Sequence, residues 1–479
     1  MTTDPSRVGA IVLAAGASRR FGGGKLLAPL NGEPLLARVL HTAATIGFGW
    51  TIVVLGHDAE AIEAGLTWNG QHVVHNPDPD AGLASSLQRG LDALRAEAAR
   101  TPEASCEAAM VLLGDQPLLD PAVLRALLAV DVAPDRPIVR PRYAGGGATN
   151  PVLIRRAGWS VVAEACGDRG LGPFLETHPE RVLEVAVSGT NPDVDTPADL
   201  AEVAWAERVR HNREQVDRRR EVPDGPDFYG PVTALFRADP HRTDEPTLDR
   251  LRALARPDDT WLDIGAGAGR YALPLALVVR EVVAIEPSDG MRTALGELAV
   301  EHGIGNVRAV AEPWPPSPGS VLEDLRADVA LIAHIGYDIE AIGPFLDAME
   351  RAARRLCVAI LMERPPASLV DPFWPAIHGE ARVALPALPE FIDLLRARGR
   401  APEVTLDARP ARGFDTLDDL ADLVRRQLWL ASGSVADLRL GALIAESAVY
   451  EDGHWILATT PPAVGVVSWT PPAAGTVGH

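Results

Sequence analysis

The sequence predicts an α/β chain of two successive units, each an open, mostly parallel sheet flanked by helices. Three observations predict it. Twice, over 8–24 and over 260–269, an apolar run rich in β-branched residues ends in a glycine-rich turn; buried parallel strands end that way where they present backbone amides to a ligand. After each turn, short apolar runs alternate with helical stretches, as in βαβ units. At 479 residues the chain also exceeds one ordinary core, given about 150 residues per domain.

Composition narrows the partners. A chain with 47% hydrophobic and 23% charged residues is globular, and a formal charge of −20 argues against a nucleic-acid or anionic-membrane face. Any phosphate site must then be locally basic. Cys106, Cys166 and Cys357 are widely spaced, so neither a zinc site nor a disulfide framework is indicated, which fits a reducing cytoplasm. Asp4 precedes the first apolar run and arginines follow it, the wrong charge order for a secretory signal. No apolar stretch approaches the roughly 20 residues of a membrane span. A cytoplasmic location with no nucleic-acid or membrane partner is expected.

The first strand, 8–12, runs directly into Leu13-Ala14-Ala15-Gly16-Ala17-Ser18-Arg19-Arg20-Phe21-Gly22-Gly23-Gly24-Lys25. Glycines allow close approach of backbone to phosphate oxygens, while Arg19, Arg20 and Lys25 offset several negative charges, so the loop reads as a nucleoside-triphosphate site. It is not a Walker A loop: Arg19 stands five residues before Gly24, and Leu26 follows Lys25 where Ser or Thr would hold Mg²⁺.

Residues 34–40 read as a helix, and 51–55 and 72–75 as strands. Asn76 to Leu87 then opens another helix with Ser85 and Ser86, whose hydroxyls could simply cap it. Met110-Val111-Leu112-Leu113-Gly114-Asp115-Gln116-Pro117 sets a carboxylate at the end of a buried strand, where open sheets bind ligands and Mg²⁺ commonly takes one or two carboxylates plus phosphate oxygens. Asp120-Pro121 already supplies the next helix start, which leaves Asp115 free as a metal ligand. Likewise Thr196, Pro197 and Asp199 form a helix start that does not need Asp195, making it available as the second carboxylate on the metal.

Leu-Ala-Ala-Gly-x-Ser-x-Arg with the downstream lysine resembles the signature of nucleotidyltransferases acting on the molybdenum cofactor (MobA-like), and with Gly-Asp-Gln-Pro it resembles their cytidylyl branch. The likeness covers about the first 200 residues. It implies CTP bound by Leu13, Ala14, Ala15, Gly16, Ser18, Arg19, Lys25 and Asp115, with Ser85 and Ser86 at base and ribose. Arg19, Lys25, Asp115 and Asp195 would carry catalysis, and Asp115 and Asp195 would hold Mg²⁺. The implied acceptor is a molybdopterin-type cofactor, with a molybdenum hydroxylase apo-enzyme or its chaperone as partner. The glycine-rich segment 143–154 would face that acceptor.

From Ala201 the pattern is helical and highly charged; acids interleave with the arginines, which favours a solvated spacer over a basic nucleic-acid helix. Val222-Pro223-Asp224-Gly225-Pro226 breaks it. Expected boundaries are therefore 1–205 for the first domain, 206–228 for a charged helical linker and 229–479 for the second domain.

In the second unit, Thr260-Trp261-Leu262-Asp263-Ile264-Gly265-Ala266-Gly267-Ala268-Gly269 is a strand and glycine turn, and Glu286 ends the next strand about 20 residues on. That acid can accept both ribose hydroxyls of an adenosine ligand, NAD among them. Asp263 before the turn, the glycine phase and Glu286-Pro287-Ser288 resemble class I S-adenosylmethionine-dependent methyltransferases. The resemblance extends to Tyr229, to Ala311-Glu312-Pro313-Trp314 and to 328–336. It implies S-adenosylmethionine held by Asp263, Gly265, Gly267, Gly269, Glu286, Glu312 and Trp314, with His334 near the methyl, although His334 also reads as a strand-end histidine. Segments 356–362, 403–406 and 454–459 read as strands completing the sheet, and the Pro- and Gly-rich end from Pro461 as irregular. The whole is α/β, two Rossmann-like open-sheet domains: a nucleotidyltransferase fold, then a class I methyltransferase fold.

Overall fold

The computed structural model describes residues 3–100, 105–131, 135–146, 149–165, 167–223, 233, 236–320 and 322–473. Gly147, Ala148, Cys166, Tyr229 and the end of the expected linker lie outside them. The chain divides into two compact units, Met1–Leu200 and Ala201–His479.

In the first unit, β1 (Val8–Ala14) is buried at every position because its residues face helices on both sides of the sheet. The other strands are β2 (Trp50–Leu55), β3 (His72–His75), β4 (Ala108–Leu113), β5 (Ile138–Tyr143), β6 (Val152–Arg155) and β7 (Val182–Val187). Their order is β3-β2-β1-β4-β6-β5-β7, parallel except for β6, which runs antiparallel to β4 and β5. The connections diverge at β1, with β2 on one side and β4 on the other. This switch opens a crevice at the carboxyl ends of β1 and β4. The main helices are α1 (Leu35–Ile46), α2 (Ala59–Gly65), α3 (Leu83–Ala99) and α4 (Pro121–Ala129). Asp120 caps α4 by accepting from the Ala122 amide, as its sequence indicated.

The second unit has β8 (Thr260–Ile264), β9 (Glu281–Ile285), β10 (Val307–Val310), β11 (Ala327–Ala333), β12 (Ala353–Met362) and β13 (Glu403–Asp407). After a separate hairpin of β14 (Ala448–Glu451) and β15 (His454–Leu457) comes β16 (Val464–Trp469). The sheet order is β10-β9-β8-β11-β12-β16-β13, with β16 antiparallel to both neighbours. Here the switch lies at β8, between β9 and β11.

Two expectations at the carboxyl end are corrected. The segment 454–459 does not complete the large sheet; its strand pairs with β14 in a separate hairpin and bridges to Phe414 through Trp455. The seventh strand is instead β16, buried along its whole length inside the stretch read as irregular. Prolines at 461, 462, 471 and 472 flank Val-Gly-Val-Val-Ser-Trp without entering it, so they bound the strand rather than break it.

The solvated spacer is corrected as well. Residues 206–219 belong to the helix Pro197–Arg219, on which Trp205 and Val209 are buried in the core of the second unit with Leu346, Phe391 and Trp469. Trp205 Nε1 donates to Ile339 O at 3.0 Å, and Gln215 exchanges hydrogen bonds with the backbone at Ala381 and Val383. Charge is concentrated on the other residues of this helix, which masks a narrow apolar stripe. Trp205→Ala should lower the stability of the second unit by roughly 3–5 kcal/mol. A two-transition calorimetric scan checks this, and an unchanged scan would restore the spacer.

Candidate functional site

At the switch point of the first unit, the loop after β1 curls on itself. The amides of Phe21, Gly22 and Gly23 all donate to the Ser18 carbonyl at 3.1 Å. Gly22, Gly23 and Gly24 have φ of 93°, 100° and 64°, a left-handed run that other residues resist. The amides of Gly22 and Gly23, expected to cradle phosphate, are thus spent inside the loop. What the curl delivers is Lys25, 8% exposed, at the start of a short 3₁₀ turn.

Lys25 Nζ lies 2.6 Å from Asp115 Oδ2 and 3.1 Å from Asp195 Oδ1. Arg20 Nη2 reaches the other Asp195 oxygen at 2.8 Å. Backbone bonds fix both acids: Gly114 N donates to Leu13 O at 2.9 Å, and Val194 N donates to Asp115 O at 3.0 Å. Asp195 N donates to Asp199 Oδ2, and Thr196 and Asp199 exchange the reciprocal bonds of a capping box. Burial opposes the charge on Lys25, but the carboxylates of Asp115 and Asp195 outweigh it and raise its pKa. The ammonium shows that both acids converge on one cation-sized point at the carboxyl end of the sheet, a donor set that also fits a hard divalent ion.

A third acid stands beside them. Partial burial, then the charge of Asp115, push the pKa of Asp193 up. Gln116 Nε2 donates to Asp193 Oδ1 at 2.8 Å, while Asn191 Nδ2 donates to Gln116 Oε1 at 2.9 Å. The sequence reading missed this network. Its signal was the alternation Asn191-x-Asp193-x-Asp195, which in an extended segment puts all three on one face.

Other expected nucleotide contacts are distributed differently. Leu13, Ala14 and Ala15 are buried at the strand end. Arg19 points to Asp80, 3.0 Å away, instead of to Asp115 or Asp195. Ser85 and Ser86 both accept from Asn76 Nδ2, and Ser85 Oγ donates to Asp78 O and Gly82 O, so these hydroxyls tie the 76–82 loop to α3.

In the second unit, Gly265, Gly267 and Gly269 have φ of 73°, 56° and 85°. A Cβ on Gly265 or Gly269 would strike Ile335 or Leu273, whereas one on Gly267 meets open space. Glu286, ending β9, accepts from Gly267 N and Ser288 N, both at 2.8 Å, and so braces the turn. Asp263 is 1% exposed and neither of its oxygens has a hydrogen-bond partner. Burial, then the charge of Glu286, push its pKa up to about 7. A buried, orphaned carboxylate at a glycine turn suits a cationic ligand such as a sulfonium or ammonium group. Glu312 is instead held by Ser320 Oγ, and Trp314 packs against the core with Nε1 donating to Phe345 O at 3.3 Å.

The raised pKa has a thermodynamic consequence. An unfolded aspartate loses its proton near pH 4, whereas native Asp263 keeps it to about 7, so its contribution to stability falls as pH rises through that window. Asp263→Asn should flatten the decline in stability between pH 4 and 7, which chemical denaturation across that range measures. An identical slope in the variant would show that Asp263 titrates normally.

Several known proteins resemble parts of this chain. A family model described as MobA-like NTP transferase domain matches residues 10–182. Bifunctional protein GlmU of Mycobacterium sp. (strain KMS) is 37% identical over 135 residues, 27% of this chain and 26% of that protein, so the chain spans about a quarter of the length of that relative. Nicotine blue oxidoreductase of Paenarthrobacter nicotinovorans is 32% identical over 206 residues, 40% of this chain and 95% of that protein. The structure of Rv0371c from Mycobacterium tuberculosis H37Rv in complex with manganese is 32% identical with a TM-score of 0.32, covering 39% of this chain and 91% of that one. The structure of precorrin-6y C5,15-methyltransferase from Geobacter metallireducens GS-15 is 16% identical with a TM-score of 0.28, covering 47% of this chain and 85% of that one. Through residues 10–182 the chain belongs to the family of MobA-like NTP transferase domains.

Proposed function

We propose that the first unit transfers CMP from CTP to the phosphate of a molybdopterin-type cofactor, releasing pyrophosphate, and that the second binds S-adenosylmethionine and transfers its methyl group. The observation that carries the first reading is the convergence of Asp115 and Asp195 on Lys25 Nζ, at 2.6 and 3.1 Å. Asp115 and Asp195 would hold Mg²⁺, which supplies charge neutralisation at the triphosphate. Lys25 and Arg20, now paired with these acids, would turn to the phosphate oxygens, so that the attacking phosphate and the leaving pyrophosphate are held in line. Asp193, tethered by Gln116 and Asn191, keeps the segment that carries Asp195 in place. CTP over GTP and the molybdopterin acceptor rest on the likeness of the Leu-Ala-Ala-Gly and Gly-Asp-Gln-Pro segments to the cytidylyl branch, and a molybdenum hydroxylase or its chaperone would receive the product.

For the second unit the reading rests on the open space at Gly267 and the buried, unpartnered carboxyl of Asp263. Methyl transfer needs donor and acceptor in line more than it needs a reactive side chain. Pyrophosphate release measured with CTP or GTP, with and without molybdopterin cofactor, tests the first activity. Release that depends on CTP and cofactor together is expected; release with a sugar or polyol phosphate instead would move the acceptor class.

A further inference from the structure

The amino end of β4, opposite the crevice that Asp115 and Asp195 line, carries a second concentration of positive charge. There β6 ends beside the start of β4, with Arg155 in register with Ala108 and Arg156 N donating to Glu107 O at 2.8 Å. The chain turns at once into the 3₁₀ helix Arg156–Glu164, which packs on α3. Gln88 Nε2 of α3 donates to Val162 O at 3.4 Å, and Leu91, Leu94, Trp159 and Val162 are buried in one core. Arg95 of α3 and Arg156 are thereby set against the same indole. Each guanidinium carbon lies 5.5 Å from the centroid of the Trp159 ring.

Trp159 is a fixed platform for these two cations. It is 6% exposed, and its Nε1 donates to Ile154 O at 3.1 Å. Cation–π attraction holds each arginine there, yet it also brings two like charges to one ring. Little neutralises them. Arg156 is pinned through Nη1 to Cys106 O at 3.0 Å, and no carboxylate among the described residues pairs with it. Glu107, its backbone neighbour, gives its carboxylate to Arg7 at 2.6 Å. Arg95 has Asp92 at 3.3 Å, an exposed contact within one helix turn that is worth little. Both arginines are exposed, and with Ala157, Trp159 and Ser160 they line one open depression of about 500 Å³. That volume suits a metabolite. Two guanidiniums and a hydroxyl around a fixed floor are a donor set for phosphate or carboxylate oxygens, whereas a formal charge of −20 disfavours a long polyanion such as nucleic acid.

We propose that Arg95 and Arg156, held against Trp159, form a binding site for a small metabolite that bears a phosphate or carboxylate group. The site does not rest on the CMP-transfer reading: it lies at the other end of β4 from Asp115, and none of its residues belongs to the crevice around Lys25.

Titration calorimetry of the full chain with inorganic phosphate and, separately, with succinate distinguishes a phosphorylated from a carboxylated ligand. Because the cations around Lys25 also attract anions, the readout is the difference between the wild type and R95Q, R156Q and R95Q/R156Q. At least one probe should bind each single variant about tenfold more weakly, and the double variant should fall little further because one ligand uses both arginines. A second measurement needs no loss of function: in arginine Nε–Hε spectra of the wild type, assigned with R95K and R156K, the same probe should shift the Arg95 and Arg156 resonances with one common dissociation constant. Equal affinities of both probes for all four proteins, or probes that move neither resonance, would overturn the proposal.

Discussion

Asp115→Asn should leave the fold intact and lower nucleotidyl transfer by at least about 10²-fold, the scale of losing one preorganised charge-stabilising group. The exchange is nearly isosteric, and its backbone oxygen would still accept from Val194 N. It removes one of the two charges that draw Lys25 inward at 2.6 and 3.1 Å. Steady-state pyrophosphate release measures the loss and calorimetry checks the fold. Turnover near that of the wild type would take Asp115 out of the site.

Gly267→Val should abolish S-adenosylmethionine binding and leave pyrophosphate release from CTP unchanged. Gly267 has φ 56°, which a β-branched residue adopts only with strain, and its side chain would project into the open space above the turn. Its amide is also the one that Glu286 Oε2 holds at 2.8 Å. Because strain alone could disturb the turn, Glu286→Gln provides a second test: it adds no φ strain at Gly267, keeps an acceptor for one of the two amides that Glu286 now holds, and should weaken binding of the ligand ribose. Unaltered affinity in both variants would contradict an adenosine ligand at this turn. Loss of both activities in Gly267→Val would show that the two units depend on each other to fold.

Much of the fold was legible because buried parallel strands announce themselves: 8–12, 51–55, 110–113 and 260–264 are short apolar runs bounded by glycine or acids, and each is a strand. The last strand was hidden by the prolines on either side of it, and the helix Pro197–Arg219 by charge that outnumbers Trp205 and Val209. Strand-end carboxylates could be picked out one at a time, since caps such as Asp120 and Thr196 accounted for the neighbouring acids. Their meeting at Lys25 could not be read from spacing, because the partners lie 90 and 170 residues away and only the sheet order joins them. Hydroxyls at a helix start do not declare a role, and here Ser85 and Ser86 serve the loop that Asn76 anchors.

Mn²⁺ binding followed by electron paramagnetic resonance, with CTP present, measures most directly whether Asp115 and Asp195 share one divalent ion. Asp115→Asn and Asp195→Asn should each weaken Mn²⁺ binding at least tenfold, and the double variant should fall little further because the two acids serve one ion. Full Mn²⁺ affinity in Asp195→Asn would show that these acids do not meet on a metal.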